Sequence, residues 1–239
     1  MSTDAGSDAT ESRRPLRRDA EENRRRIVRA ARDVFAVQGL GAGLNDIARH
    51  AGVGVATVYR RFPDKTVLVR EALRDDVDLV LQVADEAMAA PSAWDGLMLL
   101  IEHIADLLVS NLGLRDIALG PGQLSADFDD VADQVRRYVD DLLQRAREEG
   151  TVRPGVTGED FTMMYFMITE LAMHATPTSP RAYRRYLAVF TDGLRATRFD
   201  TPLPDPLEST DAEDVARRWT SRPASSRRVE RCGDVEPER

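Results

Sequence analysis

Residues 44–65 follow the pattern of a helix, a glycine turn, a second short helix and an abrupt stop. Ile47, Ala48 and Ala51 share one face of the first helix, and Ala48 is small enough to let the second helix cross closely. Gly52 comes where the chain must turn sharply, because glycine adopts a positive φ at little cost. The spacing therefore predicts two short helices joined by a tight turn.

The second helix of this pair is anchored and ended by its own residues. Val58 and Phe62 lie four positions apart, so both can pack into one core. Pro63 blocks continuation of the helix, and Asp64 can cap the next one. This plan is typical of a DNA-binding helix-turn-helix. The outward-facing positions of the second helix are Val55, Ala56, Tyr59 and Arg60.

With the helix before it, this stretch resembles the TetR family of bacterial transcriptional regulators over about residues 23–73. The resemblance is carried by an arginine-rich helix with Phe35, a glycine-rich break, and the motifs Asp46-Ile47-Ala48, Ala51-Gly52-Val53 and Tyr59 to Phe62 followed by Lys65. Gly54 departs from the family, whose members often carry a serine that caps the second helix. The first turn of that helix then needs another cap.

The resemblance implies which residues contact DNA. Phosphate contacts are implied at Thr57, Tyr59, Arg60, Arg61 and Lys65. Val55 and Ala56 would approach base edges, where apolar side chains suit thymine methyl groups. Sequence specificity would then depend also on Arg60, on Asn45 in the preceding helix, or on DNA shape.

The charge of the chain is unevenly distributed. The formal net charge is −8, yet residues 11–65 carry 13 Lys and Arg against 7 Asp and Glu, whereas residues 66–239 carry 20 against 32. A basic region on an acidic body keeps the attraction for phosphate local to one face.

Composition further limits the kind of protein that this chain can be. One cysteine, Cys232, excludes an intrachain disulfide framework, and an inert thiol in a polar tail is the simpler interpretation than a redox sensor. No run of 18 apolar residues and no basic-apolar leader occurs, so we expect no membrane span and a cytoplasmic location.

We expect an all-α fold: a three-helix N-terminal domain with the helix-turn-helix, followed by a helical ligand-binding and dimerisation domain. The expected segments are a disordered arm at 1–18, the DNA-binding domain at 19–66, the regulatory domain at 67–198 and a disordered tail at 199–239. Helices are expected at about 19–38, 64–90, 94–112, 127–149, 158–175 and 180–197, with a looser segment at 113–125 and a short helix near 212–219. Period-2 alternation is absent, so strands are not needed.

The last two body helices suggest a homodimer. Residues 161–175 are apolar nearly all round a helix, which must therefore be covered on more than one side. The next helix places Tyr183, Leu187, Phe190 and Leu194 on one stripe, with Tyr186, Val189 and Gly193 beside it. In the family these helices pair with their copies as a four-helix bundle, which implies a palindromic operator; ordinary monomer core is the alternative. Residues 181–196 are similar to the C-terminal domain of the SbtR-like branch.

Methionine and aromatic side chains in the body suit an adaptable pocket for an apolar or amphipathic effector. The candidate pocket residues are His103, Met163, Phe166, Met167, Glu170 and His174. Each polar group taken singly is better explained by a satisfied position at a helix edge, but we expect one carboxylate–imidazole pair to face a cavity.

Other functions find little support. The three histidines lack metal-ligand spacing, the glycine-rich break follows a helix rather than a strand, and no nucleophile motif occurs. We therefore expect no catalytic residue, metal or cofactor. The alternative is a DNA-binding dimer whose body docks a protein partner, which an exposed apolar patch on a void-free body would favour.

Overall fold

A computed structural model describes residues 13–120, 128–175, 178–197 and 201–220, with side chains described from Ala20 onward. The expected arm is thus described only from Arg13, and Cys232 lies outside the described residues.

The described residues form ten α-helices. In chain order they are α1 Arg13–Gln38, α2 Leu44–Ala51, α3 Val55–Arg61, α4 Lys65–Met88, α5 Ala93–Ser110, α6 Leu112–Leu119, α7 Asp129–Glu148, α8 Gly158–Ala175, α9 Ala182–Leu194 and α10 Ser209–Thr220. No strand occurs in these ranges, and the extended backbone pairs only in an isolated bridge between Val152 and Arg195. The expected all-α class is confirmed.

Helices α1, α2 and α3 form a compact unit that we call the head. Its core is made by Ile27 and Phe35 of α1, Ile47 of α2, and Val58 and Phe62 around α3, all fully buried. Val58 and Phe62 are four residues apart and Ile27 and Phe35 are eight apart, so each pair lies on one helix face and the three helices close around a single apolar centre.

Helix α4 connects the head to the rest of the chain. The Asp64 carboxylate accepts a hydrogen bond from the Thr66 N–H at 2.8 Å and caps the helix, which also lowers the pKa of that carboxyl. Leu68 and Leu73 are buried in the first half of α4, which packs on α1, and Ala84 is buried in the second half. One continuous helix therefore contributes buried side chains along both of its halves.

Helices α5 to α9 form the part of the chain that we call the body, and its helix α6 also packs against α1 of the head. Helix α5 lies at its centre and packs against α4, α7 and α8. The crossing with α4 is close at Gly96, where a Cβ would come within 2.4 Å of the Ala87 carbonyl oxygen. The body places α8 and α9 beside each other at the far side from α4, with which neither makes a major contact.

Two elements differ from the expected boundaries. Helix α1 begins at Arg13, inside the arm that was expected to be disordered. The segment expected to be loose contains α6, because the Asn111 side chain accepts from the Leu114 N–H at 3.1 Å and Leu114 and Leu119 are buried. The short helix expected near 212–219 is present as α10, which packs against α8 through buried Ala212.

Among the described helices, none alone is long and apolar enough to cross a membrane. Helices α5 and α6 pass that test only as a pair, and their axes are bent by 119° at the junction.

Candidate nucleic-acid interface

The turn between α2 and α3 has the geometry that the sequence predicted. Gly52 has φ +64 and ψ 37, in the left-handed region, and the Val53 N–H donates to the Ala48 carbonyl at 3.1 Å. This backbone bond closes the end of α2 and turns the chain directly into α3. A residue with a Cβ would be strained at Gly52.

Arg26 of α1 holds this turn from outside. Its Nη2 donates to the Ala51 carbonyl at 2.8 Å and to the Gly52 carbonyl at 3.4 Å. Both acceptors are carbonyls at the end of α2 that have no partner within the helix. The arginine run of α1 thus includes one side chain that organises the helix-turn-helix.

Helix α3 presents its predicted outer face to solvent. Val55 and Tyr59 are 39 % and 54 % exposed, and Ala56 is also exposed. Arg60 is exposed and donates to the Thr57 hydroxyl at 3.2 Å. Gly54 precedes the helix in extended conformation without a side-chain cap, which the departure from the family pattern predicted.

Two further predicted DNA contacts also lie on the surface of the head. Asn45 is exposed in the first turn of α2, and Arg61 is exposed at the end of α3. The exposed apolar centre of α3 is thus accompanied by two exposed guanidinium groups and one amide. Such a set can contact both phosphates and base edges.

Lys65, the single lysine of the chain, is placed differently. Its ammonium donates to the Leu40 carbonyl at 2.6 Å and to the Ala42 carbonyl at 2.8 Å, and it lies 5.9 Å from the Phe35 ring centroid. Burial lowers its pKa from the usual range. Two of its three donors therefore hold the α1–α2 loop, an arrangement that the interpretation as a simple phosphate contact missed.

Two further arginines of α1 tie the head to α4. Arg24 pairs with Glu71, and its guanidinium lies 4.6 Å from the Phe62 ring centroid. Arg32 pairs with Asp75 at 2.8 Å and with Asp76 at 3.1 Å. These ion pairs cannot be predicted from the spacing of residues within α1, because the partners are more than 40 residues away.

The predicted pocket residues of α8 differ in their burial. Phe166 is buried and Met163 is half-buried, whereas Met167 is 42 % exposed on the outer face of α8. A helix that is apolar all round cannot show from its sequence which side faces solvent. The placement of Met167 in a pocket is therefore corrected to a surface position.

The polar candidates lie at helix surfaces. The exposed imidazoles of His103 and His174 donate through Nδ1 to the carbonyls of Leu99 and Glu170, at 2.8 and 2.9 Å, within their own helices. Glu170 is half-buried and lies 3.9 Å from His174. The expected carboxylate–imidazole pair exists, but on the surface of α8.

Tyr165 is a deeper polar group that the list of pocket candidates omitted. It lies on α8 next to Phe166, and desolvation raises the pKa of its phenol well above the usual range. In the described part of the chain, no three His, Cys, Asp or Glu side chains gather as a metal ion would require.

An all-α fold whose exposed helix-turn-helix is joined by one long helix to a larger set of packed helices has the form of a DNA-binding transcriptional regulator. Residues 27–72 match the family of bacterial regulatory proteins called tetR, and residues 94–196 match the C-terminal domain of SbtR-like transcriptional regulators. The chain belongs to the TetR family of transcriptional regulators.

Individual relatives agree with this assignment. A helix-turn-helix-type transcriptional regulator of Staphylococcus aureus strain USA300 is 29% identical over 104 residues, which is 41% of this chain and 55% of that protein. The chain thus spans about half the length of the curated relatives it matches. The TetR transcription regulatory protein from Mycobacterium vanbaalenii is 32% identical, with 76% of this chain and 100% of that chain covered and a TM-score of 0.44.

One solved structure shares the fold at lower identity. A putative transcriptional regulator from Saccharomonospora viridis, solved in complex with choline, is 22% identical, with 74% of this chain and 100% of that chain covered and a TM-score of 0.53.

Proposed function

We propose that this protein is a ligand-responsive repressor that acts in the cytoplasm and binds a palindromic operator as a homodimer. The observation that carries the proposal is a pair of exposed surfaces on one chain: the outer face of α3 on the head and an apolar face of α8 and α9 on the body. The first fits DNA, and the second fits a copy of itself.

The apolar face of α8 and α9 supports the dimer. Its members Met167, Tyr186, Val189 and Phe190 are 42 %, 48 %, 60 % and 36 % exposed. Large apolar side chains that cluster in solvent mark interaction sites. Helix α9 is anchored on its other side by buried Leu187, so it can present this face to a partner copy without leaving the body.

A two-fold dimer gives the operator its symmetry. Two heads related by a two-fold axis read two half-sites in opposite directions, about 34–36 Å apart. In each head, Val55 and Ala56 would meet base edges while Thr57, Tyr59, Arg60 and Arg61 meet phosphates. Asn45 would add a polar contact from α2.

The interior of the body supports an apolar or amphipathic effector. The regulator from Saccharomonospora viridis was solved with choline, and FadR from Bacillus subtilis, 19% identical with a TM-score of 0.51, was solved with stearoyl-CoA. In this chain α8 supplies Met163, Met164 and Phe166 as adaptable apolar groups, with the Tyr165 phenol beside them. A ligand that favours one arrangement of the heads would change DNA affinity by its differential affinity for the two states.

The experiment is selection of DNA from a random duplex pool by the purified full-length chain, followed by stoichiometry on the selected duplex. We expect a palindromic sequence bound by two protomers per duplex. Selection of an asymmetric site bound by one protomer would contradict the homodimer, and failure to enrich any sequence would contradict operator binding.

A further inference from the structure

The loop between α1 and α2 is held by side chains from two other helices. The Leu40 N–H donates to Oδ2 of Asp116 in α6 at 2.8 Å, and the Leu40 carbonyl accepts from Nζ of Lys65 in α4 at 2.6 Å. One residue of the head therefore has its donor bound by the body and its acceptor bound by the connecting helix. Leu40 itself is 8% exposed.

The fit at this point is tight. Gly39 has φ +72, and a Cβ there would lie 2.4 Å from Oδ2 of Asp116. Nearby, where α6 packs against α1, a Cβ at Gly113 would lie 3.0 Å from the Cβ of Phe35. Glycines in both α6 and the loop allow the carboxylate to reach the peptide N–H directly.

The chemistry of the two side chains suits their positions. Helix α1 ends at Gln38, and the carbonyls that follow a helix end have no partner within it. An ammonium group there is favoured both by those carbonyls and by the helix dipole. Hydrogen bonds from or to a charged group are roughly twice as strong as neutral ones, so Lys65 and Asp116 are well suited to immobilise the loop.

The contact continues into the far side of the body. Oδ1 of Asp116 accepts from Nη2 of Arg115 at 3.2 Å, and the other terminal nitrogen of Arg115 contacts the Met173 sulfur on α8. Helix α8 carries the exposed apolar face and the Tyr165 phenol. A continuous set of contacts thus runs from α8 through α6 to the loop that precedes α2.

We propose that Asp116 and Lys65 are positioning residues for DNA recognition, which clamp the backbone of Leu40 from both sides and so couple the position of α6 to the position of α2. Helix α2 begins only four residues after Leu40, so a displaced loop moves Asn45 and the start of the helix-turn-helix. The clamp rests on the DNA-binding role of the head and does not depend on the identity of an effector.

Substituting Asp116 tests the clamp clearly, because the loss of its charge and the loss of its hydrogen bond should change DNA affinity in opposite directions. Removing a carboxylate makes the protein less negative and should, by electrostatics alone, strengthen binding to every DNA sequence. The clamp predicts the opposite for the specific site. We expect Asp116→Ala to bind the duplex selected by the parent protein about tenfold more weakly, while affinity for a scrambled duplex of equal length does not fall.

Two variants supply the controls. Asp116→Asn removes the same charge but keeps an oxygen that can accept from the Leu40 N–H, so it should restore most of the specific affinity. Asp85→Ala also removes a carboxylate and an interhelical bond, the one from the Tyr138 hydroxyl at 2.5 Å, but it lies in the second half of α4. It should leave both affinities unchanged or slightly tighter.

Hydrogen exchange tests the geometry independently of DNA. Asp116→Ala and Lys65→Met should each speed exchange of the amides at 40–43, and the double variant should show much less than the sum of the two effects because both side chains hold the backbone of the same residue. Parent-like exchange and parent-like specific affinity in Asp116→Ala would overturn the proposal, as would an equal loss on both duplexes. Failure of the parent protein to select a duplex would contradict operator binding. The hydrogen-exchange measurement needs no DNA, so it would still test the clamp.

Discussion

The guanidinium of Arg26 donates to the carbonyl of Ala51 across 2.8 Å, which joins the middle of α1 to the turn of the helix-turn-helix. This bond ties two segments that are 25 residues apart in the chain. The orientation of α3 depends on it because the turn leads directly into that helix.

Arg26→Ala should weaken both the fold and DNA binding. Loss of a hydrogen bond to an otherwise unpaired carbonyl should lower the free energy of unfolding by about 1 kcal/mol. Arg25→Ala is the matched control, since it removes an equal charge from an arginine whose side chain is 74% exposed and paired only with Glu21 among the bonds that the structure describes. Urea unfolding and fluorescence anisotropy with DNA measure the two effects; equal behaviour of the two variants would contradict a role for Arg26 in the turn.

Gly52→Ala should destabilise the head by about 1–2 kcal/mol, because φ +64 places a Cβ in a strained conformation. Gly41→Ala is the control, since a Cβ there meets no atom within 4 Å and the residue lacks a positive φ. Urea denaturation of the two variants provides the comparison. A stable Gly52→Ala protein would show that the turn can relax without cost.

Arg61→Ala and Lys65→Met should have different salt dependences. Arg61 is exposed, and the loss of one phosphate contact should reduce the slope of log affinity against log salt by about 1 while weakening binding to all sequences alike. Lys65 already donates to two carbonyls, so Lys65→Met should instead lower the free energy of unfolding and change the slope by less.

DNA-binding titrations of both variants at several salt concentrations, together with thermal unfolding, distinguish the role of Arg61 from that of Lys65. A full unit of slope lost in Lys65→Met, with stability intact, would return Lys65 to the set of phosphate contacts.

Val189→Glu should dissociate the dimer. Val189 is 60 % exposed on α9, and a carboxylate there would be buried without a partner in the proposed interface. Light scattering should give about twice the 26.6 kDa chain mass for the parent protein and a single chain mass for the variant. Val37→Glu, at a 74 % exposed valine of the head, should remain a dimer. A dimeric Val189→Glu protein would place the interface elsewhere.

The sequence alone determined the elements whose causes are local. Gly52 marks the turn because only glycine takes its φ cheaply, and Val58 and Phe62 bury because they share one helix face. Pro63 and Asp64 end one helix and start the next for equally local reasons. The helix-turn-helix, the exposed face of α3 and the all-α class were therefore predictable from short-range patterns.

Only the tertiary structure decided which charged side chains serve the fold. Lys65, Arg26 and Asp116 hold backbone groups between 23 and 76 residues away, and no periodicity in the sequence encodes such pairs. Met167 was misplaced for a related reason. Helix α8 is apolar on every side, so its sequence does not show which of its faces is buried. The face that lies toward solvent is set by how α5 and α9 pack against it.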